Sequence, residues 1–293
     1  MDQPRMLLIG KNGQVGWELR RTLAPLGPVL AVDYPEIDLS DAAATRQLVL
    51  ENKPTVVINA AAYTAVDKAE TEPEKARLIN GLAPGALAEA ANQTGSWLIH
   101  FSTDYIFDGA KTTPYVEADA PNPLGVYGRT KLAGDEAVRA VGGHHLIFRL
   151  CWVYGARGQN FLLTMQRLAR ERETVRVVAD QFGCPTPSRL IAEATTLALR
   201  QVLLAADAGA FSGTYHLAAA GSATWHEFAA RIVGLMPEAE RKCREVAAIS
   251  TAEYPTPARR PAYSVLDCGK LKKVFGLELP DWEAGLRLVL DKS

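Results

Sequence analysis

The sequence predicts a doubly wound α/β chain, a parallel sheet with helices on both faces, followed by a smaller α/β lobe. Three observations point there. Short apolar runs and helical patterns alternate through the first half. Thr55–Asn59 (TVVIN) is a β-branched run of the kind buried on both faces. A glycine-rich turn, Gly10–Gly16, lies directly between the first apolar run and the first helical pattern.

The elements follow in order. Met6–Ile9 reads as a strand, Trp17–Ala24 as a helix and Val29–Val32 as the second strand. Ser40 is expected to cap a helix over Asp41–Asn52. An Ala- and Glu-rich helix, Glu72–Gln93, follows the TVVIN strand. Strand Trp97–Ser102 comes next, then a loop punctuated by Pro and Gly to Pro123, a helix carrying Tyr127 and Lys131, and strand His145–Leu150. Beyond Cys151 the rhythm loosens. Helices are expected at Asn160–Arg172, Ser188–Leu204, Thr224–Gly234 and Asp281–Leu290, the third opened by a Thr224-x-x-Glu227 capping box. Short strands are expected at Val175–Val178, Thr214–Leu217 and Val246–Ile249.

Composition narrows the function. With 32 basic and 33 acidic residues in 293, the net charge of -1 leaves no electrostatic footprint for nucleic acid or an anionic membrane. Cys151, Cys184, Cys243 and Cys268 form no C-x-x-C pair, so they are expected as reduced structural thiols. No charged-then-apolar leader precedes Met6–Ile9, and no window approaches the ~20 uncharged apolar residues of a membrane span. A soluble cytoplasmic protein is expected.

The chemistry-bearing residues stand at strand ends. Glycines in Gly10-Lys11-Asn12-Gly13-Gln14-Val15-Gly16 permit a tight turn and let a pyrophosphate approach the amides of a helix N-terminus. Asp33, ending the second strand, is placed for the ribose diol of an adenosine, whereas Lys11 is placed for a 2′-phosphate. The choice between NADH and NADPH stays open on these residues. Asn59-Ala60-Ala61-Ala62 closes the third strand with small residues that suit a flat cofactor. Ser102-Thr103-Asp104-Tyr105 closes the fourth, where the Thr103 hydroxyl is placed to polarise a carbonyl. In Leu124–Gly134 (LGVYGRTKLAG), Tyr127 and Lys131 share one helix face with Cβ atoms about 6 Å apart. The ammonium is expected to lower the phenol pKa from its reference near 10, which suits a general acid. His226-Glu227 lacks the second His of a metalloprotease, and no Gly-x-Ser-x-Gly elbow is present.

Together these residues resemble the extended short-chain dehydrogenase/reductases, and more closely the dTDP-4-dehydrorhamnose reductase family. The matching blocks are GKNGQVGWEL, VINAAAYTAVDKAE, FSTDYIFDG, NPLGVYGRTKLAG (followed by Asp135 where the family has Glu), FRLCWVYG and YPTPARRPAYSVLD, from about Met6 to Leu290. The resemblance implies a Rossmann NAD(P)-binding domain over 1–151, with strands near 175–178 and 214–217 returning to its sheet, and a mainly substrate-binding lobe over 152–293. It implies NAD(P)H-dependent reduction of the 4-keto group of a dTDP-linked 6-deoxy sugar. Tyr127 would then donate the proton, Thr103 hold the carbonyl oxygen, and Lys131 bind the nicotinamide ribose. Gly10, Gly13, Gln14, Val15, Gly16, Asp33, Asp38, Leu39, Ala62, Tyr63 and Thr64 would line the cofactor. Asp104 and Trp152 would lie near the sugar nucleotide, and Arg260 is placed as a diphosphate partner.

One departure concerns metal. Some members of the family dimerise around magnesium held by three glutamates; here the matching positions read Glu18, Arg189 and Lys292. Two cations do not coordinate Mg²⁺, so no metal is expected, and a homodimer would instead pair Glu18 with Arg189 or Lys292. Related chemistries are less well matched. Sugar-nucleotide dehydratases read Asp-Glu where Asp104 is followed by Tyr105. Epimerases retain and re-oxidise NAD, and the regulatory β-subunit of methionine adenosyltransferase, which also resembles this family, is a binding partner rather than a catalyst.

Overall fold

The computed structural model describes residues 3–291. The first half runs β1 (Met6–Ile9), α1 (Gln14–Thr22), β2 (Val29–Val32), α2 (Ala42–Asn52) and β3 (Val56–Asn59). Short α3 (Val66–Ala69) and α4 (Pro73–Arg77) lead through a π turn (Leu78–Leu82) to α5 (Ala83–Thr94), β4 (Trp97–Thr103), α6 (Val126–Val141) and β5 (His145–Leu150). The second half runs β6 (Val153–Tyr154), α7 (Phe161–Glu171), β7 (Thr174–Val178), β8 (Phe182–Gly183), β9 (Thr186–Pro187), α8 (Ser188–Leu204) and β10 (Gly213–His216). It ends with β11 (Ala223–Thr224), α9 (Trp225–Gly234), β12 (Glu245–Ile249), α10 (Gly269–Phe275) and α11 (Trp282–Leu290).

The central sheet is parallel throughout, in the order β10-β5-β4-β3-β1-β2. Successive strand residues point to opposite faces. Met6 and Leu8 therefore pack with Leu19 of α1 and with Ile191 and Leu199 of α8, whereas Leu7 and Ile9 pack with Val49 of α2, Leu87 of α5 and Val138 of α6. Both faces are covered, as the β-branched runs require.

Several boundaries differ from the sequence reading for identifiable reasons. α1 starts at Gln14, three residues earlier than its apolar pattern, because the glycine turn delivers the chain directly into helix. Asp41, not Ser40, caps α2: its carboxylate accepts the Ala44 amide, while Ser40 is occupied by Asp38. The expected single helix over 72–93 is broken by the π turn. Pro84 has no amide to offer the Asn80 carbonyl, and the wide turn absorbs the missing bond, with the Ala83 amide reaching back to Leu78.

The second half also divides differently. Strand 174–178 does not return to the central sheet; it pairs with β12 from Thr174↔Glu245 to Val178↔Ile249. Thr174 and Arg176 are exposed, so this strand buries one face only and does not suit a sheet covered on both sides. β10 does join, on the free edge of β5, and α8 is the crossover helix that carries the chain there. Residues 188–217 thus pack with the first domain, α8 against α1 with Thr196 Oγ1 2.8 Å from Thr22 Oγ1. The remaining lobe has its own core, in which Leu162, Met165, Val175, Phe228, Trp282 and Leu286 meet. Arg189 pairs with Glu193 of its own helix rather than with Glu18 of this chain, and Lys292 lies outside the described residues.

The capping box at α9 is complete. Thr224 Oγ1 accepts the Glu227 amide at 3.0 Å, and Glu227 Oε2 accepts the Thr224 amide at 2.7 Å. Thr224→Ala should lower stability in a urea melt by about 1 kcal/mol.

Candidate active site

The strand order reverses between β1 and β3, and their carboxyl ends open onto a cavity of about 600 Å³. Its floor is bare backbone. A Cβ at Gly10 would stand 2.6 Å from the Ala61 nitrogen, and Gly10 holds φ +91°. A Cβ at Gly16 would fall 1.9 Å from the Gly10 carbonyl oxygen. Gly13, the N-cap of α1, carries no side chain over the first-turn amides, and no acidic residue occupies that turn. A diphosphate therefore finds free N–H groups and the positive end of the helix dipole, and the cradle fits a dinucleotide.

Gly13, Gln14, Val15, Asp33, Ala62 and Thr64 line this half of the cavity, with Asn12, which the sequence reading did not single out. Asp33 ties the loop down, its Oδ2 accepting the Asn12 amide and its Oδ1 the Tyr34 amide, each at 2.8 Å. Lys11 is paired with Glu36. Four expected cofactor residues stand back from the lining. Gly16 lies beneath Gly10, Leu39 is buried in the α2 core, Asp38 binds Ser40, and Tyr63 donates its hydroxyl to Glu72.

Thr103, Tyr127 and Lys131, drawn from β4 and two turns of α6, converge on the other half. Thr103 Oγ1 donates to Asp104 Oδ1 at 3.1 Å and accepts the Tyr105 amide at 3.2 Å. The Tyr105 ring meets Tyr127 edge-on, with centroids 5.9 Å apart. α6 has no cap of its own; Glu70, just past α3, accepts the Val126 amide at 2.8 Å and so fixes the turn bearing Tyr127. Lys131 is buried, its Nζ donating to the Phe101 carbonyl at 2.6 Å.

The expected lowering of the Tyr127 pKa is not found. Burial pushes it up to about 12, Asp104 and Asp135 add to the rise, and the Thr103 hydroxyl beside it opposes them. Burial outweighs any neighbouring charge here; the Lys131 amine donates to the Phe101 carbonyl, and burial moves its own pKa down to about 8. The phenol accordingly holds its proton in this form.

Asp104 is a second buried acid at the cavity wall. Burial raises it to about 6, against hydrogen bonds from Ser264, Cys151 and Thr103 that favour the carboxylate. Cys151 Sγ donates to its Oδ2 at 3.2 Å. Cys151, Cys184, Cys243 and Cys268 are all free thiols. Trp152 lines the cavity in a left-handed conformation, φ +44°, and stacks on Trp225 at 3.5 Å between centroids. Arg260 does not reach the lining. Its guanidinium is forked onto Asp67, at 3.1 and 2.8 Å, and holds the loop after Tyr254 against α3.

Trp225 and Asn160 were missed in sequence. Asn160 caps α7 and donates to Gln14 Oε1 at 3.0 Å, joining the second lobe to the start of α1. Its N-cap position was the only available signal, and nothing local distinguishes Trp225 from a core residue. Also missed were His100, Asp135 and Arg149, a buried polar group behind Lys131. Among the described residues no group of three or more His, Cys, Asp or Glu side chains is arranged to hold a metal, and no helix is long and apolar enough to cross a membrane.

Comparison with known proteins agrees with this geometry. The family model for the RmlD substrate binding domain matches residues 4–293. The dTDP-4-dehydrorhamnose reductase of Burkholderia thailandensis is 49% identical, covering 97% of both chains. That of Shigella flexneri is 47% identical over 98% of this chain and 97% of its own. The crystal structure of dTDP-4-dehydrorhamnose reductase from Bacillus anthracis, in complex with NADP, superposes with a TM-score of 0.89 at 34% identity, covering all of both chains.

Asp104 sets a measurable pH dependence. Below about 4, folded and unfolded chains both hold its proton; between about 4 and 6 the unfolded chain releases it first, so stability falls as pH rises. Asp104→Asn removes that ionisation and should stabilise the protein above pH 6 by up to roughly 3 kcal/mol, with the gain gone at pH 4 in urea melts.

Proposed function

The chain belongs to the RmlD substrate-binding family, that of the dTDP-4-dehydrorhamnose reductases, and we propose from this premise how its own residues divide the work. It is an NAD(P)H-dependent oxidoreductase that reduces the 4-keto group of dTDP-4-dehydro-6-deoxy-L-mannose to give dTDP-L-rhamnose. The observation that carries the assignment of roles is the meeting of a hydroxyl, a phenol and an amine in one glycine-floored cavity.

When bound, the reduced nicotinamide supplies the hydride to C4. Gly10 and Gly13 would let its diphosphate rest on the α1 amides, and Asp33 would receive the adenosine ribose. The Thr103 hydroxyl holds the C4 carbonyl oxygen, and Tyr127, protonated in this environment, passes its phenolic proton to that oxygen as charge develops there. Lys131 would bind the nicotinamide ribose hydroxyls, and its ammonium lies on the same helix face as the phenolate left behind. Atoms balance: one hydride reaches C4, one proton reaches its oxygen, and solvent reprotonates Tyr127. Trp152, backed by Trp225, offers a flat apolar wall to the sugar, and Asp104 accepts from its hydroxyls.

The reading extends to the setting. The free thiols suit the reducing cytoplasm. No nucleic acid or membrane partner is implied by the balanced charge.

The test is absorbance at the reduced-nicotinamide band with thymidine- and uridine-linked 4-keto sugars and either cofactor, the product being identified by mass and ring configuration. Stoichiometric oxidation with a reduced 6-deoxy sugar is expected. An altered sugar without net oxidation would mean epimerisation instead. Tyr127→Phe should cost 10²-fold or more in kcat, roughly the worth of a positioned acid, while the cofactor Kd stays within a few-fold. If Glu18 pairs with a cation of a second copy, X-ray scattering will give a dimer mass that a chelator does not change; a monomer removes that contact.

A further inference from the structure

Behind Lys131, four buried polar side chains from four elements meet: Asn59 at the end of β3, His100 in β4, Arg149 in β5 and Asp135 in α6. Asn59 Oδ1 accepts the Ala61 amide at 3.2 Å, which turns its NH₂ toward His100 Nδ1, also at 3.2 Å. Nδ1 is therefore an acceptor, and the imidazole proton is assigned to Nε2. Nε2 lies 3.4 Å from Lys131 Nζ. An ammonium and an N–H facing each other at that distance repel, unless a nearby negative charge offsets the two or the amine loses its proton.

Asp135 supplies the anion. It stands four residues after Lys131, on the same face of α6, and is fully buried. Its Oδ1 is 3.8 Å from His100 Nε2 and has no hydrogen-bond donor of its own, while its Oδ2 receives Arg149 Nε at 3.4 Å. We propose that Asp135, itself held by Arg149, is a positioning residue that keeps the buried Lys131 amine cationic for catalysis. This rests on the reductase reading of the site.

The surrounding charges are consistent with it. Burial drives Lys131 toward its neutral form, and Asp135 opposes that drift. His100 is kept neutral by burial and by the Lys131 charge, so it supplies no positive charge in its place. Arg149, Lys131 and Arg139 pull the Asp135 carboxyl down against its own burial, and Glu117 supports the Arg149 charge from beyond. Without Asp135, a neutral amine accepting the His100 Nε2 proton becomes the favoured arrangement. Tyr127 would then lose the cation that accommodates its phenolate.

The experiment is the pH profile of kcat/KM for NADPH-dependent reduction of the 4-keto dTDP sugar by the whole protein, by Asp135→Asn and by Asp135→Glu. The alkaline limb should move acidward by about 1 pH unit or more in Asp135→Asn, the size expected for losing a nearby opposite charge, and return toward wild type in Asp135→Glu. If Asp135→Asn does not fold, the double variant Asp135→Asn/Arg149→Met, which also removes the stranded guanidinium, should show the same shift. An alkaline limb that stays in place or moves upward, with activity merely scaled down, overturns the inference and leaves the reductase reading intact. A wild type that reduces no 4-keto sugar overturns that reading itself.

Discussion

The close seating of α6 against the turn after β4 and against the π turn of the neighbouring helix governs the geometry of the site. Two glycines make it possible. A Cβ at Gly128 would stand 2.2 Å from the Tyr105 carbonyl oxygen, and one at Gly134 would stand 2.2 Å from the Asn80 carbonyl oxygen. Backbone therefore meets backbone on both sides of Lys131, at a separation that any side chain would widen. The π turn in the neighbouring helix belongs to the same contact. It turns the Asn80 carbonyl, which Pro84 cannot satisfy, against Gly134, and frees the Asn80 side chain to bind Tyr63 and Thr130. Tyr127 and Lys131 are placed by these contacts, not by their spacing alone.

Such proximity comes with buried charge. Lys131, Asp135 and Arg149 are each almost wholly removed from water, where an unpaired ion costs several kcal/mol. Ladder positions explain the arrangement: Asn59 lies opposite His100 in one row, and two residues further along Arg149 lies between Ser102 and His216 in the next. An apolar row would serve folding equally well or better. A polar row serves an amine that must stay charged while buried. Asp104 follows the same logic at the wall, where raised basicity and lost stability go together.

The Trp152 side of the cavity is assembled differently. Trp152 accepts a left-handed backbone, a conformation costing roughly 1–2 kcal/mol for a non-glycine residue, and lies against Gly183, where a Cβ would fall 2.3 Å from its indole. Trp225 then closes the stack from the start of α9. Three segments more than 30 residues apart thus form one flat wall. Asn160 and the Arg260–Asp67 fork join this lobe to the glycine-floored half, so the cavity has fixed sides as well as a fixed floor.

Much of this was legible in the chain. Alternating apolar runs determined the parallel sheet, the glycine spacing determined a cofactor cradle, and Thr103, Tyr127 and Lys131 stood out because strand ends and helix spacing are local properties. The capping box at Thr224 was equally local. Tertiary structure alone decided the rest: strand 174–178 pairing with 245–249, α8 returning to the first core, Arg260 committed to Asp67, and the Tyr127 pKa moving up rather than down. Spacing along a helix fixes which side chains share a face, but not whether they meet water, a carbonyl or each other. The field at a buried group is set by everything packed around it, and those neighbours, from Asn59 to Ser264, come from distant parts of the sequence.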